Sequence, residues 1–140
     1  MIPTFFGRSD SPLFGCFHAA SHNARNLSVL LCPPVGQEYI RTHWVLNKLA
    51  STLERRGVDV LRFDYRGVGD SSQGSNFGTP DRWAEDICAA ADELRQLSGG
   101  KPMSILGLRL GALLALRACS RGLAATDLIL WDPVVDGAKL

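Results

Sequence analysis

The chain has 140 residues, of which 46% are hydrophobic and 21% charged, and its formal net charge is +1. This length suits a single domain that buries about two-thirds of its unfolded surface, and a near-neutral chain without a basic run argues against nucleic-acid binding. The apolar runs are too short to span a bilayer and the N-terminus has no signal-peptide pattern, so we expect a cytoplasmic protein without membrane contact.

Strands and helices are predicted to alternate along most of the chain. Two short strands, 4–6 and 13–19, flank a turn-rich segment and predict a hairpin. Further strands are predicted at 27–32, 58–63, 103–106 and 128–131, with helices at about 39–56, 80–98 and 112–121. This order predicts an α/β fold in which an antiparallel hairpin precedes a mainly parallel sheet with helices on both faces.

The four cysteines, Cys16, Cys32, Cys88 and Cys119, lie in apolar segments. Their spacing matches no metal-binding pattern, and no histidine pair supplies the missing ligands. We therefore expect buried free thiols, with neither a metal nor a cofactor.

Ligands of open α/β sheets bind beyond the carboxyl ends of the strands. Four segments are predicted to lie at that edge: 33–38, 64–72, 108–110 and 132–136. Their convergence makes this edge the predicted functional site.

The segment Gly107-Leu108-Arg109-Leu110-Gly111 has the frame of a nucleophile elbow, the sharp strand-to-helix turn written G-x-S-x-G. Gly107 and Gly111 are expected because a Cβ at either position would collide with neighbouring backbone. The central position holds Arg109 instead of serine. A guanidinium stays protonated and cannot attack a carbonyl. The glycine frame therefore predicts a hydrolase, whereas Arg109 at its apex argues against one.

Five features of this chain follow the order found in the α/β-hydrolase superfamily. They are the hairpin, the loop Pro34-Val35-Gly36-Gln37-Glu38, the run 64–71 (DYRGVGDS), the elbow and Trp131-Asp132-Pro133. The chain resembles the serine aminopeptidase S33-like hydrolases, and exosortase-associated hydrolases within that neighbourhood. The resemblance implies a partial α/β-hydrolase fold, one domain over 1–140 that is truncated at its C-terminal side. It also implies chemistry on an ester, thioester or peptide bond.

The resemblance also assigns site positions. Backbone N–H groups at Val35 or Gly36 and at Leu110 would form an oxyanion hole. The loop after the fourth strand would shape the pocket and be mainly structural, with the positions Asp64, Gly67, Gly69, Asp70 and Ser71. No catalytic residue is assigned, because Arg109 takes the nucleophile's place, no histidine follows His43, and the chain stops before the strands that carry the triad Asp and His.

Two interpretations of Arg109 stay open. It either holds a small acyl or anionic ligand beside the free amides of a helix start, or it forms a structural pair with Asp132 or Asp64. A cation at the positive end of a helix is unfavourable, so both interpretations predict an anionic partner. Asp132 itself is either that charge partner, or a displaced acid, or part of a turn that ends the strand.

The sequence therefore supports an α/β-hydrolase-fold protein that is inactive as this chain. The alternatives are a binding or accessory module that holds an acyl or anionic ligand near Arg109, and a truncated reading frame. An uncovered final strand at 128–131 would also leave an open sheet edge, which predicts self-association.

Overall fold

The computed structural model describes residues 1–68 and 78–134, and within them it contains one six-stranded sheet and three helices. The elements in chain order are β1 (Ile2–Phe6), β2 (Leu13–His18), β3 (Ser28–Cys32), α1 (Gln37–Arg55), β4 (Asp59–Phe63), α2 (Pro80–Ser98), β5 (Met103–Leu108), α3 (Leu110–Ser120) and β6 (Asp127–Trp131).

The sheet has the strand order β1-β2-β4-β3-β5-β6. The hairpin β1–β2 is antiparallel and joins the rest through an antiparallel β2–β4 pair, while β4, β3, β5 and β6 run parallel. The predicted α/β class is therefore confirmed, including the hairpin that precedes the parallel strands. The carboxyl ends of β3, β4, β5 and β6 meet at one edge, where the candidate site lies.

Helices cover both faces of the sheet, as predicted. One face packs against α1 and the other against α2 and α3, and β3 is buried on both sides. The core on the α1 face contains Val29, Leu31, Leu46, Ala50, Val58, Val60 and Leu108. The larger core on the other face includes Phe6, Phe17, Leu30, Leu61, Phe63, Ile87, Leu94, Ile105 and Leu114. Burying these side chains supplies the main driving force for folding.

Local signals fix the ends of α2. The Thr79 side chain accepts a hydrogen bond from the Arg82 N–H, Pro80 occupies the first turn, and Gly99 adopts a left-handed conformation with φ 73°. Other boundaries differ from the prediction by one or two residues. In particular, β5 continues to Leu108 and α3 begins at Leu110, because a single residue joins strand to helix.

The prediction that every cysteine is buried was wrong. All four cysteines are free thiols, as predicted. Only Cys32 is fully buried, whereas Cys16, Cys88 and Cys119 are half-buried. The other three lie on a strand or on helix flanks that face partly outward, which an apolar stretch of sequence does not reveal. Burial raises the pKa of both Cys88 and Cys119, so these thiols stay protonated at neutral pH.

Within the described ranges, no group of His, Cys, Asp and Glu side chains is arranged to hold a metal ion. No helix there is long and apolar enough to cross a bilayer.

The edge strand β6 is largely exposed. Ile129, Leu130 and Trp131 are 40–47% exposed, and Leu113 and Leu116 on α3 are similarly open. Self-association through this edge stays a prediction.

Between β2 and α1, His18 links two charged groups. Its Nδ1 lies 3.2 Å from a Glu54 carboxylate oxygen, and Arg62 Nε donates to its Nε2 over 3.1 Å. Because a guanidinium only donates, Nε2 is the acceptor and the ring proton belongs on Nδ1. Burial, with the charge of Arg62, lowers the pKa of His18 despite the opposing effect of Glu54.

This arrangement predicts a pH-dependent stability. An unfolded histidine binds its proton near pH 6.5, whereas the buried imidazole binds it only at lower pH. The free energy of unfolding should therefore fall as the pH drops through about 6.5, by at most about 1.4 kcal/mol per pH unit from this group. Denaturant unfolding between about pH 7 and pH 5 measures it. His18→Gln should flatten that slope and His22→Asn, at an exposed position, should not; equal slopes in both variants would contradict the assignment.

Candidate active site

The turn between β5 and α3 has the backbone geometry of an elbow. Its apex, Arg109, has φ 57° and ψ −120°, which a residue with a side chain rarely adopts. The Arg109 N–H donates to the Trp131 carbonyl at 3.0 Å, and the Arg109 carbonyl accepts from the Ala112 N–H at 3.0 Å. Bonds to the neighbouring strand and to the helix thus hold the unfavourable conformation in place.

Both elbow glycines are required by close backbone approach. A Cβ on Gly107 would lie 2.5 Å from the Ala112 Cα, and one on Gly111 would lie 2.5 Å from the Pro33 carbonyl oxygen. Neither neighbour is a flexible side chain that moves aside. The start of α3 is therefore pressed against the end of β3, where the loop 33–36 begins.

Two acidic residues hold the Arg109 side chain. Its Nε donates to a Glu38 carboxylate oxygen at 2.9 Å, and its Nη1 lies 3.5 Å from an Asp132 carboxylate oxygen and 3.3 Å from the Asp132 carbonyl. The hydrogen bond to Glu38 raises the pKa of Arg109 further above its already high value. Sequence reasoning named Asp132 and missed Glu38. The available signal was an acidic residue in the first turn of α1, directly after the loop assigned to the oxyanion hole.

Asp64, the other partner considered for Arg109, lies elsewhere. Its buried carboxylate accepts a hydrogen bond from the Tyr39 hydroxyl at 2.5 Å. Glu38 and Tyr39 are consecutive on α1, so their side chains diverge, one toward Arg109 and the other toward Asp64. The suggested Arg109–Asp64 pair was therefore wrong.

The beginning of the loop after β4 is anchored from α2. The Val68 N–H donates to the Tyr65 carbonyl at 2.9 Å, and Gly67 supplies the positive φ of 76° that this turn needs. Buried Asp86 accepts from the Arg66 N–H at 2.8 Å and from its Nη2 at 3.0 Å. Sequence reasoning missed Asp86, which lies 20 residues further along the chain. The predicted pocket-shaping residues Gly69, Asp70 and Ser71 lie outside the described residues.

The positions assigned to an oxyanion hole lie around the junction of β3 and α3. Gly36 precedes α1 with φ 72°, and Val35 and Leu110 both pack against the core on the α2–α3 face. Leu110 is the first residue of α3, so its N–H has no acceptor within the helix. Their role in holding an oxyanion stays a prediction.

The family model of the S33 serine aminopeptidases matches residues 37–140. The chain belongs to this family of α/β hydrolases. It is 32% identical over 114 residues to YfhR of Salmonella typhimurium, an uncharacterized protein; the match covers 79% of this chain and 32% of that protein. The chain thus spans about a third of the length of the curated relatives it matches.

Solved α/β hydrolases show the same fold. An α/β serine hydrolase without a lid from Xanthomonas campestris superposes with a TM-score of 0.76 at 24% identity, covering 92% of this chain and 59% of that one. Est1E of Butyrivibrio proteoclasticus, solved with ferulic acid bound, gives 0.75 at 22% identity, covering 93% and 52%. At this identity the likeness concerns the fold alone.

None of the three histidines of this S33 domain contacts Arg109 in the described part of the chain. His18 is bound to Glu54 and Arg62, and the His43 ring lies 5.6 Å from the Tyr39 ring. His22 is exposed in the loop before β3. Within this part of the chain, the elbow therefore has neither a nucleophile at its apex nor a base beside it.

Proposed function

We propose that this S33-family chain does not hydrolyse acyl substrates. The observation that carries the proposal is the Arg109 guanidinium at the elbow apex, tied to Glu38 and Asp132. The elbow of an active relative presents a nucleophile to the substrate carbonyl. Here the same turn presents a cation that is already paired.

A carboxylate also lies beside the loop assigned to the oxyanion hole. A tetrahedral intermediate carries negative charge, which donors at the oxyanion hole must stabilise. The Glu38 carboxylate lies in the first turn of α1, directly after the loop that would supply one of those donors. The ion pair with Arg109 holds this carboxylate in place.

A second candidate function is the binding of an acyl or anionic ligand at Arg109. The side chain is 29% exposed, so a ligand has access to it. Two carboxylates already face the guanidinium, however, and an incoming anion would have to displace one of them. This role therefore has less support than a structural ion pair.

The proposal predicts no enzymatic turnover of short p-nitrophenyl esters by the purified chain. Any slow release of p-nitrophenol should equal the rate in buffer plus a small non-specific rate from surface groups. This non-specific rate should be the same in all variants. Arg109→Ala should behave like the wild type, as should Arg41→Ala on the exposed surface of α1. Saturable turnover that one substitution lowers at least tenfold would contradict a non-hydrolytic domain.

A further inference from the structure

The outward side of α1 carries two large apolar side chains that are open to solvent. Ile40 is 74% exposed and Trp44 is 66% exposed. They are four residues apart on the helix, so they are neighbours on its surface. The helix packs on the sheet through a different side, which carries the buried residues Leu46 and Ala50. Ile40 and Trp44 therefore form an apolar strip on the outside of the domain.

Three cations share this side of the helix. Arg41, Lys48 and Arg55 are all exposed, and they follow each other at intervals of seven residues, close to two helical turns. They therefore lie in one row along the helix, and Trp44 stands between the first two. Lys48 Nζ lies 4.9 Å from the centroid of the Trp44 ring, a cation–π contact. We call these three cations, with Ile40 and Trp44, the α1 outer face.

The acidic residues of α1 do not offset these charges. The helix has two, Glu38 and Glu54. Glu38 is paired with Arg109 and Glu54 contacts His18, so both carboxylates turn toward other elements. Among residues 1–68 and 78–134, no carboxylate forms an ion pair with a cation of the α1 outer face. This face therefore presents three uncompensated positive charges.

The edge of the sheet adds apolar groups on the same side of the domain. Met1 is 70% exposed and lines a cleft together with His43 and Asn47 of α1. Phe5 on β1 is 63% exposed, and its ring lies 5.3 Å from the ring of Phe14, which lines the same cleft. Exposed apolar side chains thus flank the α1 outer face on the side of the hairpin.

Exposed apolar side chains beside a row of cations are typical of helices that lie in the interface of an anionic membrane. A single helix forms this face, so it is convex and has no groove that would seat a peptide, whereas the headgroup layer of a bilayer accommodates it. We propose that the α1 outer face binds the surface of an anionic bilayer. Ile40 and Trp44 enter the headgroup layer, and the three cations contact the anionic groups of the lipids.

This proposal departs from the expectation of a chain without membrane contact. That expectation rested on the lack of a spanning run and of a signal-peptide pattern. Neither observation bears on a helix that lies flat on a membrane surface.

The test is sedimentation of the full chain with vesicles made of equal parts phosphatidylcholine and phosphatidylserine. We expect saturable binding that weakens with added salt, and at least tenfold weaker binding to phosphatidylcholine vesicles. Lys48→Gln and Arg55→Gln should each lower the affinity for the anionic vesicles about fivefold. Ile40→Ser should also lower it at least fivefold, because the side chain no longer buries apolar surface in the headgroup layer.

Two substitutions on α3, on the opposite face of the sheet, are matched controls. Arg121→Gln removes the same charge from an exposed position, and Leu113→Ser removes an exposed apolar side chain of similar size. Both variants should bind the anionic vesicles as the wild type does. All the substituted side chains are exposed, and a melting curve for each variant confirms that it is folded.

No binding to the anionic vesicles, equal binding to both kinds of vesicle, or equal losses in the α1 and α3 variants would overturn the proposal. Binding to polyglutamate that is as tight as binding to the anionic vesicles, and that Ile40→Ser leaves unchanged, would also overturn it, because the partner would then be an acidic polypeptide. The outcome is independent of the elbow's chemistry, since Arg109 is not part of the α1 outer face.

Discussion

Replacing Gly111 with alanine is expected to lower the free energy of unfolding by about 3 kcal/mol and the melting temperature by roughly 10 °C. The new Cβ would lie 2.5 Å from the Pro33 carbonyl oxygen and equally overlap the carbonyl of Cys32. Both oxygens belong to backbone at the end of β3, a strand buried on both faces. Relief would therefore require the whole junction of β3 and α3 to shift. Thermal and denaturant unfolding measure the effect.

Gly99→Ala is a contrasting substitution, because Gly111 is helical and has no positive φ, so the cost of replacing it is steric and not conformational. Gly99 has φ 73° at the end of α2, and a Cβ added there would have no neighbouring atom within 4 Å, so it reports the conformational cost without a collision. Its replacement should cost about 1 kcal/mol. A cost at Gly111 no larger than that at Gly99 would show that the junction of β3 and α3 accommodates the added Cβ.

Replacing Asp86 with alanine is expected to destabilise the domain by about 3–5 kcal/mol. The substitution removes the acceptor of two Arg66 donors, the backbone N–H and the guanidinium, and leaves a largely buried cation without its partner. It also releases the turn at 65–68 from α2. Burial raises the pKa of Asp86 above its usual value, so desolvation of this carboxylate is already substantial.

Two comparisons isolate this contact. Glu85→Ala, at the exposed neighbouring position, should change the stability by no more than about 0.5 kcal/mol. In an Arg66→Met background the cost of Asp86→Ala should shrink, because the stranded charge is gone. A cost that is the same in both backgrounds would mean that the loss has another origin.

Most of the fold was predictable because its signals are local. The buried strand β3 is a continuous apolar run, and α2 carries Thr79-Pro80 at its start and Gly99 at its end. The elbow glycines were predicted from the steric needs of a strand-to-helix turn. The structure adds which backbone atoms leave no room for a Cβ at these positions, namely those of Pro33 and Ala112.

The partners of the site were less predictable because they are distant in sequence. Glu38 and Arg109 are 71 residues apart, and Arg66 and Asp86 are 20 apart. The register of α1 over the sheet decides which side chain reaches which partner: Glu38 reaches Arg109, and Tyr39 reaches Asp64. A sequence pattern predicts a helix but not its rotation about its own axis. For this reason Asp64 was wrongly considered as an ion-pair partner of Arg109.

We propose that the elbow of this S33-family chain carries no nucleophile. The most direct measurement is the intact mass of the chain after exposure to a fluorophosphonate, a reagent that forms a covalent bond with activated serine nucleophiles. We predict an unchanged mass for the wild type under conditions that fully label an active S33 hydrolase. A stoichiometric adduct on one side chain, abolished by substituting that residue, would contradict the account.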